Sequence, residues 1–348
     1  MERTMKAAVF KDIENIVIEE YPVPPCPEDG LLLKVYACGI CGGDVRNYHN
    51  GLRDGIKNQI MGHEIAGKVE ESLDTSGRFA VGDRVAVAPD ISCGTCWYCK
   101  KGLVNLCLRH RMLGTHFPGG YAQYLALPSE VVRHGFVEPI PEDMSYDYAA
   151  LAETASSVLA CQNYNQVSLG DTIVIIGDGP VGCLHIEAAR ARGAGKIIMV
   201  GMDKLELAAK FSPDHLLDNH NPDRVVSEVR AITDGMGADI VISAVPSVRP
   251  QQQGLEMLRK RGRLVIFGGT PKNNQMTALD SNLIHYNELS VTGAFSYPAT
   301  GLSDALKAIH SKKINAEKYV KAIPLEKVVE GMSMVASGES LKVVLKPW

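Results

Sequence analysis

Between position 5 and about position 146 the chain is a succession of short apolar runs broken by Gly and Pro, clearest at 31–35, 65–69, 84–88 and 122–127. Runs this short, bounded by turn formers, predict β-strands, and their succession predicts a curled, barrel-like sheet carrying long loops. From about 149 to 289 the pattern changes. Runs rich in Val and Ile, at Thr172–Ile176, 196–200, 240–245 and 263–267, alternate with amphipathic stretches of helix length such as 181–192 and 225–233. That alternation predicts a parallel sheet with helices on both faces. The final segment predicts a helix at 302–309 and a strand at Lys342–Lys346, whose destination periodicity does not reveal.

A chain of 348 residues is long enough for two domains, each with its own core. The formal net charge of −4 offers no electrostatic reason to expect nucleic acid or an anionic membrane as partner. No apolar run approaches the ~20 residues that span a bilayer. The first residues lack the apolar core and cleavage site of a signal peptide, so the expected compartment is the cytoplasm. Nine cysteines in such a chain point to metal ligation in a reducing compartment. Of these, Cys26, Cys161 and Cys183 read as ordinary small apolar residues or surface thiols.

Four cysteines stand together as Cys93, Cys96, Cys99 and Cys107, spaced C-x2-C-x2-C-x7-C. Zinc in a closed structural site takes four soft ligands in a tetrahedron, and two-residue gaps let successive sulfurs turn inward around one ion. Gly94 and Gly102 ease the tight turns required. Disulfides are the poorer reading, because three cysteines this close cannot all find well-oriented partners. A tetrathiolate leaves no position open for a substrate. It holds a loop, and any catalytic metal must be elsewhere.

Thr172–Ile176 runs directly into Gly177-Asp178-Gly179-Pro180-Val181-Gly182 and then a helical segment. This is G-x-G-x-x-G in a strand–turn–helix setting, the arrangement that binds the pyrophosphate of a dinucleotide on helix N–H groups. In such sites an acidic residue at the end of the second strand binds the adenosine ribose hydroxyls and repels a 2′-phosphate. Gly201 stands at that position and Asp203 follows two residues later, with no arginine adjacent. Gly201 leaves room for a phosphate; Asp203 opposes one. The balance favours NAD over NADP.

A second set of metal-ligand types is scattered along the chain. Cys41 lies in C-G-I-C-G-G-D, with Cys38 before it and Asp44 after; His63 and Glu64 are consecutive; Glu153 opens the helix-like segment where the two patterns meet. Cysteine, histidine and carboxylates with one position open suit a Lewis-acid zinc. Each has a plainer explanation alone: a histidine beside glycine as a satisfied polar residue, Glu153 as a helix N-terminal acid. A redox pair at Cys38 and Cys41 is disfavoured by the second cysteine cluster and the β context.

The order of motifs resembles the zinc-dependent medium-chain dehydrogenase/reductase superfamily, and within it the chain is most similar to the sorbitol (polyol) dehydrogenases. The resemblance runs nearly end to end, through C-G-I-C-G-G-D-V, I-M-G-H-E-I-A-G-K-V, G-D-R-V-A-V, the four-cysteine lobe, G-G-Y-A-Q-Y and G-D-G-P-V-G. It implies an α/β protein: a GroES-like β-rich catalytic domain over 1–148 with a structural-zinc lobe at 89–110. A Rossmann doubly wound parallel-sheet domain over 149–294 follows, and 295–348 returns to the catalytic domain. Cys41, His63, Glu64 and Glu153 match the catalytic-zinc positions, the glutamate at 153 being characteristic of the polyol branch. Asp44 would orient the His63 ring, and Cys38 would be an unligated neighbour. Whether Glu64 or Glu153 meets the metal directly or through water stays open.

The chain departs from the family at Gly43, where Ser or Thr is usual, and at Arg46, where many members have His. The hydroxyl and imidazole of a proton relay are both missing, so the proton must leave through water beside the metal with Glu153 or Glu64. In G-A-F-S-Y, which resembles a substrate-pocket segment, Ser296 replaces an arginine and Tyr297 is kept, so the substrate is not gripped as sorbitol is. The expected activity is hydride transfer between a secondary alcohol, a polyol or sugar-derived alcohol, and a nicotinamide cofactor held across the cleft between the domains, with two zinc ions per chain. Rivals are the same chemistry on a threonine-like amino-alcohol or a phosphorylated sugar alcohol, with Arg46, Arg53 and Lys57 as cation candidates, and a non-enzymatic NADPH- or zinc-binding structural protein. The resemblance also implies a homotetramer or homodimer with a small-molecule substrate.

Overall fold

The computed structural model describes residues 3–271 and 273–348. By contact the chain divides into two units, Met1–Ser156 with Tyr297–Trp348, and Ser157–Ser296. The first is built around strand Leu31–Gly39, whose side chains are mostly buried in both directions of the pleat. It pairs antiparallel with Glu64–Ser72, Tyr124–Leu127 and Lys342–Lys346. Arg84–Ala88 and Phe136–Pro139 extend the sheet beyond Glu64–Ser72, and Val320–Pro324 extends it beyond Lys342–Lys346. A smaller sheet orders Asn15–Pro22, Thr4–Asp12 and Gln59–Ile60. Phe10, Leu33, Ile65, Tyr121, Leu125 and Leu345 share one apolar core beneath these strands.

The apolar runs at 31–35, 65–69 and 84–88 all lie in strands, whereas only Tyr124–Leu127 of the run at 122–127 does. Ala122 instead makes an isolated bridge to Ala7. The C-terminal strand's destination, hidden from periodicity, is the edge of Leu31–Gly39 near Cys38 and Gly39. Backbone contact then sets where His63 stands. Gly119 and Gly120 donate to the carbonyls of Ile60 (2.8 Å) and Gly62 (2.9 Å). Gly62 itself has φ +90°, a conformation L side chains rarely adopt.

The second unit is a six-stranded parallel sheet in the order His215–Asp218, Lys196–Gly201, Thr172–Ile176, Ala238–Ser243, Leu258–Ile266, Ser290–Gly293. Its central strands are continuous apolar runs because helices cover both faces. The strand order reverses between Thr172–Ile176 and Ala238–Ser243, the switch point at which doubly wound sheets bind ligands. The expected helices are Pro180–Ala191 and Pro222–Ile232. The edge strands His215–Asp218 and Ser290–Gly293 have too little buried surface for their sequence to announce them. Among the described residues, no helix is long and apolar enough to cross a membrane.

A methyl group on Gly119 would lie 2.1 Å from the Gly62 carbonyl oxygen and 2.4 Å from that of Met61, both rigid backbone atoms. Gly119→Ala should therefore cost about 1–3 kcal/mol, read by calorimetry as a lower melting midpoint of the first unit. An unchanged midpoint would show that this backbone contact has slack.

Candidate metal centres and dinucleotide site

The four-cysteine lobe brings its sulfurs together without any disulfide: all nine cysteines are free. Cys96 Sγ lies 3.5 Å from Cys99 Sγ, and Cys93 Sγ lies 3.9 Å from Cys99 Sγ. Four sulfurs each about 2.3 Å from a zinc ion would be about 3.8 Å apart, so the spacing fits the ion. Backbone N–H groups point at the sulfurs, Cys93 N toward Cys107 Sγ at 3.2 Å and Arg109 N toward the same sulfur at 3.3 Å. Such donors favour thiolates. Backbone N–H groups of Thr95 and Cys96, helped by Arg109, pull the Cys93 thiol down to about 5. Burial pushes the Cys107 thiol up to about 11.

The second cluster comprises Cys41, His63 and Glu64, whose donor atoms all lie within 4.8 Å of one another. Cys41 caps helix Gly42–Asn50, and its sulfur accepts from the Gly43 N–H at 3.4 Å. A helix N-terminus stabilises an anion, and a thiolate is the form that ligates metal. Asp44 closes the capping box: its Oδ2 accepts from the Cys41 N–H at 3.1 Å and from the Tyr121 hydroxyl at 2.8 Å. Its Oδ1 lies 3.3 Å from His63 Nδ1, which would leave Nε2 free to face a metal ion. Burial alone would raise the Asp44 carboxyl, but His63 above all, with these N–H and O–H donors, holds it below its ordinary value. Burial also opposes charge on His63, yet Asp44 and Cys41 hold its pKa well above normal, where a bound cation would take the proton's place. Cys38 is fully buried and its thiol is raised well above its ordinary pKa by desolvation, the state of an unligated neighbour. Thiol, imidazole and carboxylate in this proximity fit an open zinc site.

Glu64 is wholly buried, and Lys342 Nζ donates to both of its oxygens, at 2.5 and 2.7 Å. The Thr154 hydroxyl donates to the first of them at 2.8 Å. Burial works against the Lys342 ammonium, but Glu64 holds its pKa above normal. Neither Lys342 nor Thr154 carries a sequence signal for this role. Glu153, in the first turn of helix Ala152–Tyr164, lies outside the group of donors within 4.8 Å. Its Oε1 accepts from the buried Tyr297 hydroxyl at 3.0 Å, and burial pushes its pKa up to about 7. Tyr297, expected in a substrate pocket, thus holds a carboxylate. Ser296 precedes it in the chain at φ +52°. At Gly43 an added side chain would meet only Cys41 Sγ at 3.6 Å and the Arg46 guanidinium at 3.8 Å, so the missing hydroxyl has not been replaced by packing. Of the other cation candidates, Lys57 is paired with Asp12.

In the second unit, Gly177 has φ +125° and the chain turns straight into helix Pro180–Ala191, with Pro180 at its first position, Val181 next, and Gly179 as its cap. A Cβ on Gly182 would lie 1.7 Å from the Gly177 carbonyl oxygen, so only glycine lets helix and turn pack. The turn leaves helix N–H groups free for a pyrophosphate, and the cofactor fits. At the end of Lys196–Gly201, a Cβ on Gly201 would meet Asp178 Oδ2 at 2.4 Å. That oxygen accepts from the backbone N–H groups of Met202 at 2.9 Å and Lys204 at 2.7 Å. Asp178 gives no signal in the sequence because it fills a variable position of the motif. Asp203 is 80% exposed and 3.8 Å from His220, which is itself held by Asp218 at 2.5 Å.

Comparison with known proteins identifies the family. Residues 27–142 match the alcohol dehydrogenase GroES-like domain, and residues 180–311 match the zinc-binding dehydrogenase model. The chain is 34% identical to sorbitol dehydrogenase of Bacillus subtilis over 99% of this chain and 98% of that protein. It is 32% identical to erythritol/L-threitol dehydrogenase of Mycolicibacterium smegmatis, with the same coverage of 99% and 98%. A Sinorhizobium meliloti protein assigned as a zinc-binding dehydrogenase and bound to NADP superposes with a TM-score of 0.90 at 28% identity, over 99% of this chain and all of that one. With both of its domain types matched and relatives aligned end to end, the chain belongs to the zinc-dependent medium-chain dehydrogenases, alongside sorbitol dehydrogenase.

Proposed function

We propose that this chain oxidises a secondary alcohol of the polyol class with NAD and holds two zinc ions, one at Cys41, His63 and Glu64 and one at the four-cysteine lobe. The observation that carries the reading is the gathering of Cys41, His63 and Glu64 donor atoms within 4.8 Å, a set that a structural protein would not need. When bound, zinc supplies Lewis acidity at the alcohol oxygen and the nicotinamide accepts the hydride.

The chain's own residues divide the remaining work. The Gly43 N–H donates to the Cys41 sulfur at the helix N-terminus and holds it in place. Asp44 and Tyr121 fix the imidazole of His63 in one orientation. Glu64 is held on both oxygens by the buried Lys342 ammonium. Glu153 is engaged by Tyr297 at Oε1, which leaves Oε2 to take the substrate proton. This assigns the proton-accepting role to Glu153 in a site where Gly43 and Arg46 provide neither hydroxyl nor imidazole. A Cβ at Gly43 would make only ordinary van der Waals contact, with Cys41 Sγ at 3.6 Å and the Arg46 guanidinium at 3.8 Å.

Glu153→Gln keeps the shape and removes the basicity. It should lower kcat by about 10²–10⁴-fold, measured on a panel of polyols with NAD while zinc content is followed in parallel. A variant that keeps both its zinc and near-parental kcat excludes Glu153 as the base.

Cys99→Ser should reduce bound zinc from two ions to one per chain and lower the thermal midpoint, because the lobe loses one of four ligands. Metal analysis that finds two ions in a variant as heat-stable as the parent would overturn the structural site.

A further inference from the structure

The loop after the second parallel strand decides whether an adenosine 2′-phosphate is accepted, and its polar atoms are already in use. Gly201 presents no side chain at the end of Lys196–Gly201. The space a side chain would occupy there is filled by the Asp178 carboxylate, which projects from the glycine-rich turn: a Cβ at Gly201 would lie 2.4 to 2.6 Å from three of its atoms. Asp178 Oδ2 takes up the N–H groups of Met202 and Lys204, at 2.9 and 2.7 Å. These are the donors a bound phosphate would otherwise claim at this loop. By contrast, Asp203 points into solvent at 80% side-chain exposure and faces His220.

On the reading that the chain binds a nicotinamide dinucleotide, we infer that Asp178, reaching across from the first turn, is the residue that selects NAD over NADP. It replaces the acid missing at position 201 by occupying the same place from a different strand. Two effects act together. Its negative charge repels a 2′-phosphate, and its hydrogen bonds remove the N–H groups that could bind one. Its Oδ1 can still accept from a ribose hydroxyl, a hydrogen bond that phosphorylation of the 2′-oxygen abolishes.

Equilibrium binding of NADH and NADPH, followed by nicotinamide fluorescence without substrate, separates this role from catalysis. The parent should bind NADH at least about tenfold more tightly than NADPH. Asp178→Asn removes the charge with little change of shape, and Asp178→Ser also frees the two N–H groups. Both should lower the NADPH-to-NADH ratio of Kd values by about tenfold or more, with Ser the larger effect, while retained NADH binding shows that the unit is folded. Asp203→Asn is the competing variant. A larger shift of the ratio there than at Asp178, or a parent that prefers NADPH, overturns the assignment while leaving dinucleotide binding intact. A parent that binds neither nucleotide defeats the nicotinamide reading itself, and the assignment with it.

Discussion

The buried pair of Glu64 and Lys342 ties the first unit together. Each charged group sits at 2% exposure or less, and taking both out of water is costly unless each is fully satisfied. Here Lys342 donates to both carboxylate oxygens and, more weakly, to the Ile40 carbonyl at 3.4 Å, while Thr154 donates a further hydrogen bond. The residues come from a strand near the start of the chain, a helix beyond residue 150 and the last strand. The pair can form only when Lys342–Lys346 is registered against Leu31–Gly39, so the ion pair makes that register the one compatible with a satisfied interior. Loss of either partner would strand a bare charge at a cost of about 3–5 kcal/mol. The same pair fixes Glu64 beside His63.

The two clusters of metal-ligand side chains achieve similar donor density by opposite means. In the four-cysteine lobe the ligands are close in sequence, and turns plus backbone N–H groups bring the sulfurs together locally. The Cys41–His63–Glu64 cluster draws on a helix cap and on the start of strand Glu64–Ser72, and every donor is held by a partner behind it: Asp44 behind His63, Lys342 behind Glu64, the helix N–H groups behind Cys41. The first arrangement is a local staple. The second depends on the whole sheet being correctly assembled.

That difference explains which features the chain announces in its sequence. Spacing alone exposes the four cysteines and the glycine-rich turn, because both are local constellations with fixed offsets. The strands buried on both faces are equally plain, since Leu31–Gly39 and Thr172–Ile176 are nearly unbroken apolar runs. The scattered donors Cys41, His63, Glu64 and Glu153 become legible through the order of surrounding motifs. Lys342, Thr154 and Tyr121 stay hidden because their roles arise from pairings across long stretches of chain. A lysine in a strand-like run gives no hint that it will be buried under a glutamate nearly three hundred residues earlier. Asp178 is masked for another reason: the motif is defined by its glycines and leaves open what stands between them.

The helix Gly42–Asn50 carries both fixed and free positions, and this bears on how such a protein changes over generations. Cys41 and Asp44 belong at once to the helix cap, the imidazole contact and the buried tyrosine contact, so a substitution at either disturbs several functions together. Gly43 and Arg46 lie on the same helix but contribute side chains to none of those contacts, and a Cβ at Gly43 would meet its neighbours only at van der Waals distance. A substitution at these two positions can therefore change what lies beside the Cys41 sulfur while leaving the contacts that hold Cys41, Asp44 and His63 together intact: one helix carries both the scaffold of the cluster and the room to vary what surrounds it.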